Sequence, residues 1–276
     1  MKPAHFAHEA MATTFGIFIA GQDPAYARKA AAAAFRELDR LESELSRYVE
    51  SSDIARANRL APGETIAIGE DALQCLLVAA EVSAATGRAF DPAYASVPAA
   101  GAGPDSPLYA LDPAAHTLTS HAARLHLDLG AVGKGYALDR LAATLRDWEA
   151  TSALLQSGGS TALALAAPEG EAGWHVGLGE DAAYRTIPLQ DAALSGSGIA
   201  VKGAHLIDPR TGRPAARTRR VWALAPNAAV SDALSTAFFI MEAPEITAFC
   251  LAHPEIGAAF PNPDGVLTRL GPLARE

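Results

Sequence analysis

Asp232 and Thr236 stand four residues apart in Asp-Ala-Leu-Ser-Thr, inside a stretch with a helical pattern. That spacing puts a carboxylate and a hydroxyl on one helical face. Two such oxygens, completed by phosphate and water, suit Mg²⁺, which takes only one or two protein carboxylates. An acidic residue placed early in a helix for its dipole accounts for the same spacing. The run Asp128-Leu-Gly-Ala-Val-Gly-Lys-Gly135 sets glycines between a strand-like segment and a helix beginning near Gly133. Free N–H groups at that helix start, with Lys134 beside them, would attract an anion. The run is neither GxGxxG nor a Walker loop, because no Ser or Thr follows the lysine, and a tight turn without a ligand reads equally from it.

Two further segments carry chemistry-bearing residues. Ser157-Gly158-Gly159-Ser160 lies between strand-like runs, where paired glycines either let a ligand approach the backbone or form an ordinary hairpin turn. His205 precedes the turn-rich Asp208-Pro-Arg-Thr-Gly-Arg213-Pro loop. An imidazole titrating near neutral pH can serve as a general base, and a histidine that only hydrogen-bonds the loop fits the same position.

These residues need elements to hold them. Residues 14–20 read as a strand, followed by Asp23-Pro24 as a helix start. Ala31, Phe35, Leu38, Leu41, Leu45 and Tyr48, at spacings of 4, 3, 3, 4 and 3, form one apolar face of a long helix ending near Tyr48. A second helix is expected over 70–86, a loop over 92–107, and a strand over 124–130 leading into an amphipathic helix. Strands at 152–156, 160–166, 173–178, 185–189 and 221–225, helices at 231–241 and 244–252, and a terminal hairpin from 256–260 to 265–270 complete the expected order. Hairpins alternating with helices predict an α+β fold.

The chain has 276 residues, 50% of them hydrophobic, and a net charge of −9. An acidic chain with no long basic stripe argues against nucleic-acid binding, and no apolar stretch is long enough to span a bilayer. No secretory signal or lipid-acceptor cysteine is visible in the opening residues, so the expected location is cytoplasmic. Cys75 and Cys250 stand in apolar surroundings and are expected to be buried free thiols.

Taken together, the motifs resemble the FAD:protein FMN transferase (ApbE) family over nearly the whole chain and in the same order. Met11-Ala-Thr-Thr-Phe15, Leu45-Ser-Arg-Tyr48, Ser52–Asn58, Phe90-Asp-Pro92, residues 128–135, Gly158-Gly159, His205–Pro214 and Ser231–Thr236 carry the resemblance. It implies one two-lobed ApbE-like (T-fold-like) domain over 1–276, with mixed or antiparallel sheets, flanking helices and FAD in the cleft between lobes. It also implies that Met11, Tyr48, Ala89, Phe90, Asp91, Asp128, Lys134, Gly158, Gly159 and Leu206 line the FAD site. Mg²⁺ would be held by the Ala131 carbonyl and the Asp232 and Thr236 side chains, with Asp232 and His205 as catalytic residues and His205 as the base. The implied reaction moves FMN from FAD to a Ser or Thr hydroxyl of a partner protein and releases AMP.

The chain departs from the family's pattern in two loops. Gln156-Ser-Gly-Gly-Ser160 stands where Asn-Ala-Gly-Gly-Asp is common, and Ser195-Gly-Ser-Gly198 where Ser-Gly-Asp is common. Ala93 also replaces the usual Thr after Phe-Asp-Pro. These changes spare Asp232, Thr236 and His205, and bear on adenine or partner recognition. Hydrolysis of FAD to FMN and AMP, or FAD binding without catalysis, are the alternative readings.

Overall fold

The computed structural model describes residues 2–103, 106–198, 207–215, 220–262 and 264–275, and among these the chain is a set of antiparallel sheets packed with helices, the expected α+β class. Helix α1 (Pro24–Leu45) begins where the Asp23 side chain accepts hydrogen bonds from the N–H groups of Ala25 and Tyr26. Ala30, Ala34, Leu38, Leu41 and Leu45 form its buried stripe. The helix stops at Leu45, so Tyr48 lies beyond it in a turn and is 81% exposed instead of closing the apolar face. Helices α2 (Asp53–Ala57), α3 (Glu70–Ala85), α4 (Gly133–Asp147), α5 (Ala228–Ile240) and α6 (Ala243–Ala252) follow.

The main sheet has eight strands, in the order Ala4–Ala10, Thr13–Ile19, Ala153–Ser157, Thr161–Ala164, Ala192–Ser197, Val221–Ala225, Gly257–Pro261 and Leu267–Leu270. Alternation along the strands separates two cores. Leu155, Leu163, Ala193 and Ala223 face the larger core, built with α1, α3, α4 and α5 and running from Ala10 to Phe260. Leu154, Ala162, Leu194 and Trp222 face the smaller one, covered by the hairpin Trp174–Leu178/Arg185–Leu189. On the helical side, buried Asp71 of α3 ties three helices together. It accepts from Arg40 of α1 at 2.5 Å and from the Tyr136 hydroxyl of α4 at 2.7 Å, and Arg140 lies 3.0 Å away.

Three features differ from the expected order. Ala4–Ala10 is a strand, joined to Thr13–Ile19 through Met11 and Ala12, both at positive φ (49° and 58°). That is the primed two-residue turn that hairpins favour, made without the Gly or Asn that usually marks it. Ala192–Ser197 is an interior strand despite its small and polar residues, because its neighbours leave room for little else. The strand expected over 124–130 is confined to Ala122–Arg124. Beyond it Leu125, Leu127 and Leu129 alternate inward as in a strand, but their backbone is held by loops. The Asn58 side chain bonds both the N–H and the carbonyl of Leu127, and Asp128 N–H donates to the Pro92 carbonyl.

Cys75 and Cys250 are buried and free, as expected. No described helix is long and apolar enough to cross a membrane. Helices α4 and α5 meet backbone to backbone at Gly135, where a Cβ would lie 2.1 Å from the carbonyl oxygen of Ala228. Replacing Gly135 by Ala must therefore push α4 and α5 apart. The expected cost in urea unfolding is about 2–4 kcal/mol, against the gain of under ~1 kcal/mol that Gly→Ala brings to an uncrowded helix.

Candidate functional site

Asp232 is 2% exposed, yet its partners are loose. Its Oδ2 accepts from the Gly135 N–H at 3.2 Å and lies 3.6 Å from the Lys134 ammonium. Its Oδ1 accepts from the Thr161 hydroxyl at 3.4 Å. The carboxylate thus takes one of the N–H groups that the first turn of α4 leaves unpaired, where the helix dipole favours negative charge. Asp139 returns the arrangement from α4. Its two oxygens accept from the N–H groups of Ala228 and Ala229, each at 2.8 Å, at the start of α5. Asn227 completes that cap by accepting from the Val230 N–H at 2.9 Å.

A cleft of about 920 Å³ opens between the end of α1 and the start of α4, and Met11, Tyr48, Asp128 and Lys134 are on its walls. Lys134 reaches it from the first turn of α4, its ammonium donating to the Gly130 carbonyl at 2.6 Å. Asp128 accepts from the Gly130 N–H at 2.8 Å and pairs with Arg47 at 3.3 Å. The Arg47 guanidinium in turn stacks on the Tyr48 ring, 4.4 Å from its centroid. Asp128 and Gly130 also line a second cavity of about 210 Å³, with Ala89, Phe90, Asp91, Ala131 and Thr236. Thr236 sits one turn after Asp232 on α5, its hydroxyl 3.2 Å from that of Ser197. Asp91 is held by Arg88 at 3.0 Å and by the Ala93 N–H at 2.8 Å, while Ala89 and Phe90 are buried wall residues.

The structure therefore brings together Met11, Tyr48, Ala89, Phe90, Asp91, Asp128, Ala131, Lys134, Asp232 and Thr236 around two cavities with shared walls. Gly158 and Gly159 line a third cavity instead, which meets this group through Thr161. His205 and Leu206 lie outside the described residues. Sequence reasoning missed Glu42, which accepts from the Met11 N–H at 2.8 Å, and Arg47, Thr161 and Asp139. Only Arg47 had a visible clue, as the neighbour of Tyr48. The other three depend on contacts 31 to 90 residues apart.

Burial raises the Asp139 carboxyl to about 6, opposed by the two N–H groups it accepts from. A carboxyl whose folded pKa is raised contributes stability that is full below its unfolded value near 4 and is lost as pH rises through about 6. Asp139→Asn removes that titration. Between pH 4 and pH 7 the native chain should lose stability relative to Asp139→Asn, by on the order of 1–3 kcal/mol. Denaturant unfolding of both at four pH values checks the sign.

Residues 11–260 match the sequence profile of the ApbE family. An FAD:protein FMN transferase of Treponema pallidum is 31% identical over 173 residues, 55% of this chain and 48% of that protein. One of Haemophilus influenzae is 27% identical over 140 residues, 45% of this chain and 40% of that protein. The chain thus matches about half the length, or less, of these curated relatives. The solved structure of the flavin transferase ApbE from Vibrio cholerae superposes with a TM-score of 0.84 at 20% identity, over 99% of this chain and 98% of that one. The ApbE protein of Thermotoga maritima gives 0.80 at 23% identity, over 98% and 97%. These likenesses carry the fold, and the match over residues 11–260 carries the lineage: the chain belongs to the ApbE family.

Proposed function

We propose that this chain transfers FMN from FAD to a Ser or Thr hydroxyl of a partner protein, releasing AMP, with Mg²⁺ in the site. The observation that carries the reading is the buried Asp232 carboxylate 3.6 Å from Lys134, which itself lines a cleft of about 920 Å³ with an exposed aromatic ring on its wall. Tyr48, backed by Arg47, offers a flat surface to a flavin ring. Met11 gives apolar wall, as do the buried Ala89 and Phe90 in the adjoining cavity. Asp128 and Asp91 offer carboxylate oxygens to donors of the flavin and ribose. Leu206 joins this set on the resemblance alone, and Gly158 and Gly159, which line another cavity, are left out of it.

The donor set fits a hard cation. Asp232 is a buried carboxylate with no hydrogen bond shorter than 3.2 Å among the described residues, and Thr236 places a hydroxyl one turn away. Among the described residues no cluster of three or more His, Cys, Asp or Glu could hold a metal alone, so phosphate and water must supply the remaining ligands. Asp232, Thr236 and the Ala131 carbonyl would hold Mg²⁺, which supplies positive charge to the diphosphate as its bond breaks. Lys134 adds a fixed cation. The acceptor oxygen bonds to the FMN-side phosphorus, the bond from that phosphorus to the bridging oxygen breaks, and AMP leaves with the bridging oxygen and its electron pair. The acceptor's hydroxyl proton passes to His205. Residues 1–276 act as one unit in this reading, supported by a core that runs from Ala10 to Phe260. The proposed compartment is the cytoplasm, in keeping with two free buried thiols.

The test is incubation with FAD and Mg²⁺, with and without a hydroxyl-bearing acceptor protein. Transfer makes the acceptor fluorescent and releases AMP in equal amount. AMP without acceptor would indicate hydrolysis, and neither product would indicate a binding protein. Asp232→Asn should lower metal-dependent AMP release at least ~100-fold while leaving the melting temperature within a few degrees. His205→Ala should slow transfer ~10²–10⁴-fold with far less effect on FAD affinity. Equal losses of rate, affinity and stability would make His205 scaffolding.

A further inference from the structure

The third cavity, of about 230 Å³, lies on the other face of the main sheet from α5. In the strand Ala153–Ser157, Ser157 faces the helices and Gln156 faces this cavity. Thr161 and Ser195 likewise point toward α5, while Ala162, Leu194 and Gly196 border the cavity. Its other walls include the Gly158–Ser160 turn, Val176, Gly177, Trp222, and Tyr184 at an exposed rim. Arg220 is its one cationic lining residue among those described.

Arg220 is poorly partnered among the described residues. Among them its Nε is buried with no hydrogen-bond partner, and Nη2 donates to the carbonyls of Gly159 and, at 3.4 Å, Gly196. Among the described residues it forms no ion pair, and Glu180 acts on it only from beyond ion-pair distance. Burial accordingly pulls its pKa down. The fold has made room for it: a Cβ on Gly196 would lie 2.5 Å from its Nε, and one on Gly198 would lie 3.2 Å from its Cβ. Its guanidinium carbon is 5.7 Å from the centre of the Trp222 ring. A half-buried guanidinium without an ion-pair partner at contact distance is costly, and a bound anion would offset that cost. At Gly159 the space where a Cβ would stand is open, so an occupant can approach the backbone.

We propose that this cavity binds one oxyanion, a carboxylate or a phosphate group, against Arg220 and the Gly158–Ser160 turn. The planar guanidinium edge matches either group through paired N–H bonds. A volume of about 230 Å³ admits such a group with a few waters and excludes a dinucleotide. The site stands apart from the proposed FAD cleft. Thr161, which lines it and hydrogen-bonds Asp232, links the two.

The experiment titrates the whole protein with inorganic phosphate and, separately, with acetate, holding ionic strength constant with chloride. Two-dimensional NMR follows the glycine amides and the Trp222 indole. Saturable shifts at Gly159, Gly177, Gly196 and Trp222 are expected, weakened at least tenfold by Arg220→Gln and less by Arg220→Lys. A response to phosphate alone or to acetate alone assigns the group. Linear shifts, shifts confined to Gly130–Gly135, or shifts that persist in Arg220→Gln would overturn the proposal. Should Arg220→Gln fail to fold, the map of shifted glycines in the native protein decides the question.

Discussion

The structure depends on two helices that cap each other. Asp139 of α4 takes the first N–H groups of α5, and Asp232 of α5 takes the Gly135 N–H in the first turn of α4. Each exchange satisfies groups that a helix start leaves unpaired, and each places a carboxylate where the dipole is favourable by roughly 0.3–2 kcal/mol. Neither is possible unless the helices touch backbone to backbone, and that contact requires a glycine at 135. The same geometry explains how a carboxylate only 2% exposed is tolerated without a close ion pair.

That carboxylate gives the site its character. Fully satisfied, Asp232 would be a structural cap like Asp139, with two bonds at 2.8 Å. Its own contacts at 3.2, 3.4 and 3.6 Å leave capacity for a further positive partner, and Thr236 and Lys134 stand close enough to share it. The two cavities that meet at Asp128 and Gly130 divide the space into a larger part and a smaller part near Thr236. A ligand with a flat ring at one end and phosphates in the middle matches that division.

Much of this was legible in the residues. Helical periodicity located α1, α4 and α5 within a few positions, and the spacing of Asp232 and Thr236 put both on one face before any contact was known. Local pattern failed where long-range contact decides. The alternation of Leu125, Leu127 and Leu129 indicated an extended chain, but not that Asn58 would replace a neighbouring strand. Ala192–Ser197 was hidden because glycine and serine are poor strand formers, and its place in the sheet is set by burial and by Arg220 lying over Gly196. The Met11–Ala12 turn carries none of the usual turn residues. Asp139 looked like one more polar position on an amphipathic helix, because its partners lie 89 and 90 residues away.

The central claim is that buried Asp232 and its neighbours form a cation-assisted diphosphate site. Its most direct test is equilibrium binding of FAD, followed by flavin fluorescence, with Mg²⁺ titrated from zero to millimolar. The account predicts that Mg²⁺ tightens FAD binding at least tenfold in the native protein and leaves binding unchanged in Asp232→Asn. Tight binding indifferent to Mg²⁺ in the native chain, or the same Mg²⁺ response in both proteins, would contradict it.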